Sequence, residues 1–177
     1  MALGPDVDPS EAELLSVTAH TASRSLAREY GLVWSPIFQN FLIHMGKRQR
    51  GYCGHYARDI GERLKELKLK TLVLHWGAAF AGTEDESNCL VVTARNQPFQ
   101  DGIVIDGWRR AGRLFWCALK KDDLYDIGHL AERRAQNPFL QHPTTAFQHG
   151  TIWKENRLYT AWLQDYERAW EWKPTAR

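Results

Sequence analysis

Apolar residues recur at helical spacing through the first third of the chain. The stretch "DPSEAELLSVTAHTASRSLAREYGL" predicts a helix, with Asp8 or Ser10 as cap, acidic residues in its first turn and Gly31 just beyond its end. Its apolar face is expected to include Leu14, Val17, Leu26 and Tyr30. "SPIFQNFLIHMG" predicts a second, short helix, with Ser35 as cap, Pro36 at the first helical position and Gly46 as stop. A basic, glycine-bounded loop, "GKRQRGY", then leads to Cys53. From there Cys53, Ala57, Ile60, Leu64 and Leu67 form one apolar stripe, and Arg58, Asp59, Glu62, Arg63, Lys65 and Glu66 occupy the opposite face. Cys53 therefore faces inward in the first turn of an amphipathic helix.

After this helix the period changes. "TLVLHWGAAF", "NCLVVTA", "GIVIDGW" and "LFWCALKK" are short runs rich in β-branched and aromatic residues, separated by turn-length segments. They predict an antiparallel meander of about four strands. Beyond Asp122 the pattern suggests a helical patch over 126–136, a polar loop "QNPFLQHPTTAFQHG" and a last helix "ENRLYTAWLQDYERAWEW". The expected class is α+β, helices followed by an antiparallel sheet, in one domain over 1–177. Within it, 1–50 carries the N-terminal helices, 51–122 the cysteine helix and sheet core, and 123–177 a partly helical extension.

Composition narrows the function classes. A length of 177 residues, 44% hydrophobic, suffices for one buried core, and a net charge of +2 gives no footprint for nucleic acid. Three cysteines at positions 53, 89 and 117 fit neither a zinc site nor a dense disulfide framework, so no metal or cofactor is expected. The start "MALGPDVDPSEAELL" has neither a basic n-region nor an apolar h-region, and no run approaches a membrane span. The chain as given is expected to be soluble and not membrane-spanning.

Cys53 carries the candidate chemistry. A thiol reacts as its thiolate, and the exposed amides of a helix N-terminus lower a thiol's pKa. A nucleophilic cysteine also needs a base within hydrogen-bond reach and a group that orients the base. Asp106, closing "GIVID", is the evident orienter; its ordinary alternative is a turn-forming aspartate before glycine. For Cys53 the ordinary alternative is a buried structural thiol. The base is harder to find. His55 follows Cys53 by two residues, roughly 200° around the helix axis. His75 should pair with about Val91, four residues from position 87 and ~13 Å away along the strands. His129, His142 and His149 fall in the unassigned C-terminal third.

This order of elements resembles the transglutaminase-like branch of the papain-like cysteine superfamily. In that family the nucleophile heads a helix, a histidine begins the second strand after it, and an aspartate ends the third. "GYCGHYARDI", "SNCLVVTA" and "GIVIDGWR" match these in turn. "REY", "QNFLIHMGKRQRGYC", "LHWG", "NCLVVTARNQPF" and "GIVIDGWRRAGRLFW" are similar to a little-studied group of bacterial envelope proteins in the same superfamily, over about 26–116. The resemblance implies an envelope location if a signal segment has been removed, and otherwise the cytoplasm is expected.

Two positions depart from the family. Its strand opens "EHN", whereas this chain has Glu86, Ser87 and Asn88, so Ser87 stands where the catalytic histidine would be. A serine hydroxyl cannot hold a proton at neutral pH as imidazole does. "DGW" also replaces the usual "DPW", which would loosen the turn but keep the carboxylate. The resemblance further implies supporting roles for Asn88 and Asp106, an oxyanion position for Gln49, and groove walls at Trp76 and Trp108. Cys89 and Cys117 read as core residues that could pair only in an oxidising compartment, and the tryptophans of the last helix, Trp162, Trp170 and Trp172, read as core.

The expected function is thus a pseudoenzyme, or a weakly active one, that binds a peptide or protein in the ancestral groove. The alternative is an active protease, amidase, deamidase or transglutaminase working through a Cys53 thioester with an unidentified base.

Overall fold

A computed structural model describes residues 3–82, 86–125 and 151–165. Helix α1, Pro9–Glu29, starts where the Asp8 side chain accepts a hydrogen bond from the Ser10 amide at 2.8 Å, and the chain leaves it through Gly31 at φ 58°. Its buried stripe is Leu15, Ala19, Ala22, Ser23 and Leu26, while Leu14 and Val17 face solvent. The expected face is corrected by one position. Counting back from Leu26 in steps of four and three reaches Ala22, Ala19 and Leu15, and the two alanines let α1 pack closely on the next long helix.

Helix α2, Pro36–His44, is capped by Ser35, and α3 spans Cys53–Lys65. Strands β1 Leu72–Ala79, β2 Ser87–Ala94, β3 Ile103–Asp106 and β4 Phe115–Ala118 follow, then β5 Lys154–Glu155 and helix α4, Arg157–Gln164. All pairings are antiparallel, in the order β4-β3-β2-β1-β5. His75 pairs with Val91, the register expected from the loop between the two runs. Among the described residues the sheet has five strands where about four were expected. The fifth comes from the C-terminal region, where Lys154 and Glu155 cover the free edge of β1 at Ala78 and Gly77. A two-residue strand is too short to show a period. The last helix consequently begins at Arg157 rather than Glu155, with Asn156 capping the Tyr159 amide.

The sheet is covered on both faces. Leu90, Val92 and Ala94 of β2 join the core formed with α1, α3 and α4, whereas Cys89 and Val91 join Phe99, Val104, Leu119, Tyr125, Ile152 and Trp153 on the other side. Two charged residues expected on the outer face of α3 are instead buried. Asp59 accepts hydrogen bonds from Tyr30 Oη (2.6 Å), Arg50 and Arg58. Lys65 Nζ donates to the carbonyls of Trp162 and Asp165 at the end of α4. The amphipathic pattern of α3 could not reveal that α1 and α4 wrap these flanks. The helical patch over 126–136, the loop after it, Trp170, Trp172, His129, His142 and His149 lie outside the described residues. Among the described residues no helix is long and apolar enough to cross a membrane.

Candidate functional site around Cys53

The approach to Cys53 is set by a tight turn. Gly51 has φ 126°, and a Cβ there would come within 2.8 Å of Gln39 Cγ, so glycine is required on two counts. Nδ1 of His55 then accepts hydrogen bonds from the amides of Gly51 (3.1 Å) and Tyr52 (3.3 Å), satisfying donors at the start of α3. Two donors on one ring nitrogen require it to be unprotonated. Burial, with Arg50 nearby, holds His55 below the usual histidine pKa. Its imidazole is committed to the cap.

Cys53 is the first residue of α3 and is half-buried. Its S–H donates to the Glu86 carbonyl at 3.8 Å, a bond that favours the neutral thiol. Desolvation pushes the thiol pKa up and the Asp106 carboxylate adds to the rise, while the Asn88 and Gly54 amides and the Asn88 side chain pull it back. The net direction is upward. The expected lowering by the helix terminus is therefore outweighed, because packing against β2 removes the water that would solvate a thiolate.

Asn88 is held firmly beside the thiol. Its Oδ1 accepts from Trp76 Nε1 at 2.7 Å and its Nδ2 donates to Glu86 Oε1 at 3.1 Å. Trp76, expected on a groove wall, is only 3% exposed, because its position on β1 directs the indole onto Tyr159 and Trp162 of α4. Trp108 is half-buried and donates from Nε1 to Asn40 Oδ1 of α2 at 3.3 Å. Gln49 lies exposed in the loop before Cys53.

Ser87 and Asp106 both have other partners. The Ser87 hydroxyl, buried at the start of β2, accepts a hydrogen bond from Tyr125 Oη at 2.7 Å. Asp106 Oδ1 accepts from the amides of Trp108 (2.8 Å) and Arg109 (3.1 Å), and its Oδ2 from Arg109 Nε at 3.1 Å. The same guanidinium grips Asp122 with both terminal nitrogens, at 2.8 and 3.0 Å, and lies over the rings of Phe115 (4.2 Å) and Tyr125 (5.0 Å). Trp153 Nε1 completes the group by donating to Asp122 Oδ2 at 3.0 Å. Burial raises the Asp106 pKa, while Arg109 and the two backbone amides oppose the rise.

Gly107, next to Asp106, is closely packed. A Cβ there would lie 2.6 Å from Tyr56 Cδ1, 2.8 Å from Ser23 Oγ and 2.9 Å from Ile60 Cδ1, so its absence lets α1 and α3 close onto the turn. Sequence reasoning missed Arg109, Asp122 and Tyr125. One signal was present, an arginine three residues after a turn aspartate in "DGWR".

No imidazole of the described residues hydrogen-bonds the Cys53 thiol. His75 is engaged by Glu155 Oε1 at 2.7 Å and by Thr93 Oγ1 at 3.0 Å. Cys89 and Cys117 are free, and the register rules out the bridge considered for them. Cys117 pairs with Val104 and Val104 with Val91, so Cys89 is two strands across and two residues along. That separation is roughly 11 Å between Cα atoms, beyond the ~7 Å reach of a disulfide. Burial pushes the Cys117 thiol up to about 11, and burial also raises Cys89 well above the ordinary thiol value. Among the described residues no group of three or more His, Cys, Asp or Glu side chains is placed to hold a metal ion.

Compared with protein-family models, with curated proteins and with solved structures, the chain matches none.

Proposed function

We propose that this chain is a degenerate transglutaminase-like cysteine domain, a pseudoenzyme that holds a peptide or protein segment beside Cys53 without turning it over. One observation carries the reading: the two positions that would supply base and orienter in such a site are both engaged elsewhere, Ser87 by the Tyr125 hydroxyl and Asp106 by the Arg109 guanidinium. The direction of the thiol pKa agrees, since a group kept protonated at neutral pH is a poor nucleophile. Loss of the base alone removes about 10²-fold to 10⁴-fold of rate. Binding is supported by the half-buried sulfur beside the fixed Asn88 side chain. A specific observation also favours an active enzyme: the Asn88 and Gly54 amides and the Asn88 side chain pull the thiol pKa back towards the thiolate. Such an enzyme would still need a base.

The rate of Cys53 alkylation by iodoacetamide against pH, read by peptide mass with Cys89 and Cys117 as internal controls, separates the two. The pseudoenzyme should react slowly, with an apparent pKa at or above the ~8.5 of a free thiol. A pKa well below that, or incorporation of dansylcadaverine into casein by the unaltered protein, would establish the enzyme instead. Binding is read as retention of casein peptides on immobilised protein. Retention that is absent, or unchanged after Cys53 is alkylated, removes the binding half of the proposal.

A further inference from the structure

Helix α2 is built inside out. Its fully buried residue is a glutamine: Gln39 Oε1 accepts from the Val33 amide at 3.3 Å, and its Nε2 donates to the carbonyls of Tyr30 (3.3 Å) and Arg50 (2.9 Å). The outward residues are apolar. Trp34 is 88% exposed, Ile37 76% and Phe41 55%, with Phe38 and Met45 also open to solvent. Phe38 and Phe41 stack on each other, their ring centroids 6.0 Å apart. At ~200 Å² for each large side chain, the patch exposes roughly 650 Å², slightly more than the largest patch of an ordinary soluble monomer.

Charge identifies what fits it. From Tyr30 to Arg58 the chain has no acidic residue, and the run leaving α2 carries Lys47, Arg48 and Arg50. Arg50 and Arg58 are both paired with Asp59, whereas Lys47 and Arg48 are exposed beside Met45. A protein partner would ask for about one hydrogen bond per 100–200 Å² of interface. The outward face of α2 offers almost none, only aromatic and aliphatic knobs with a cationic rim. That combination suits a bilayer interface, where apolar side chains enter the headgroup region and cations meet anionic lipid.

We propose that α2 and the loop after it form a peripheral docking site for an anionic lipid surface. The proposal is independent of any chemistry at Cys53. The test is co-sedimentation of the full chain with phosphatidylcholine vesicles, with and without about 30 mol% phosphatidylglycerol, at low and high salt. Binding is expected only with phosphatidylglycerol and weaker at high salt. Both I37E/F41E and K47E/R48E should reduce the bound fraction roughly 10-fold, with far-UV circular dichroism unchanged because all four side chains are exposed. Lack of binding to anionic vesicles, or equal binding by I37E/F41E, overturns the proposal. A dimer in light scattering that I37E/F41E dissolves, or a melting temperature that I37E/F41E lowers, either one without vesicle binding, also overturns it. Those results would assign the patch to a second copy or to the chain's own residues.

Discussion

Replacing Arg109 by methionine tests the ion group that occupies the site. Methionine keeps much of the stem's packing and removes the guanidinium, leaving Asp106 and Asp122, each with a side chain only 1% exposed, without their cation. Breaking a buried ion pair from one side costs about 3–5 kcal/mol. The lost contacts over Phe115 and Tyr125 act in the same direction. For a domain of this size, about 4 kcal/mol lowers the melting temperature by roughly 10 °C. The assay is urea unfolding followed by tryptophan fluorescence, with the midpoint shifting at constant slope.

The variant should also carry a pH signature. Burial already raises the Asp106 pKa against the pull of Arg109, so removing the arginine raises it further. A carboxyl whose folded pKa exceeds its unfolded value contributes stability below the unfolded pKa and loses it as pH rises through the folded one. The deficit of R109M should therefore shrink as the solution is acidified from neutral towards the carboxylate range. The triple variant D106N/R109M/D122N, with no buried charge to strand, should recover much of the loss. A cost of R109M below about 1 kcal/mol, or a deficit independent of pH, would refute the assignment of these residues as a buried, mutually neutralising group.

Three further outcomes follow from the geometry. Gly107→Ala places a methyl 2.6 Å from Tyr56 Cδ1 and should cost roughly 1–3 kcal/mol in urea unfolding, whereas a neutral result would show that α1 and α3 have room to retreat. His55 has a folded pKa below its unfolded ~6.5, so its contribution is complete above that pH and is lost as pH falls through it. His55→Asn keeps an acceptor at the cap, so stability measured from neutral to mildly acid pH should fall less steeply than in the unaltered protein; parallel curves would argue against the cap role. Oxidation with diamide followed by non-reducing peptide mapping should find no link between Cys89 and Cys117, and detection of one would contradict the strand register.

Local and periodic features were legible in the sequence, and returns of the chain across the sheet were not. The register of His75 against Val91 followed from a two-residue period and a loop of known length. The α1 face was displaced because Leu14 and Leu15 are adjacent and because alanines, which make the closest approach, add little to an apolar pattern. "NCLVVTA" held a larger clue. An almost unbroken apolar run signals a strand buried on both faces, so a second layer had to come from the C-terminal region. That layer delivers Tyr125, Ile152 and Trp153 onto the face of β2 that carries Cys89 and Val91, and with them come Asp122 and the stacking partner of Arg109.

The meaning of Ser87 depends on that layer. Under the proposed reading, the sequence alone offers serine where the resemblance would place the base, an absence that a neighbouring histidine would make good. The geometry shows a filled position: the Ser87 side chain lies on the second face of the sheet, its oxygen bonded to Tyr125, whose ring packs on Trp153 at 4.3 Å. An imidazole at 87 would need Tyr125 to move and Arg109 to release Asp106, and Arg109 is held there by Asp122 as well. If the site is the degenerate one proposed above, three mutually supporting side chains, Tyr125, Arg109 and Asp122, would have to yield before an imidazole at 87 could pair with Asp106, so exchange of residue 87 alone should not produce activity.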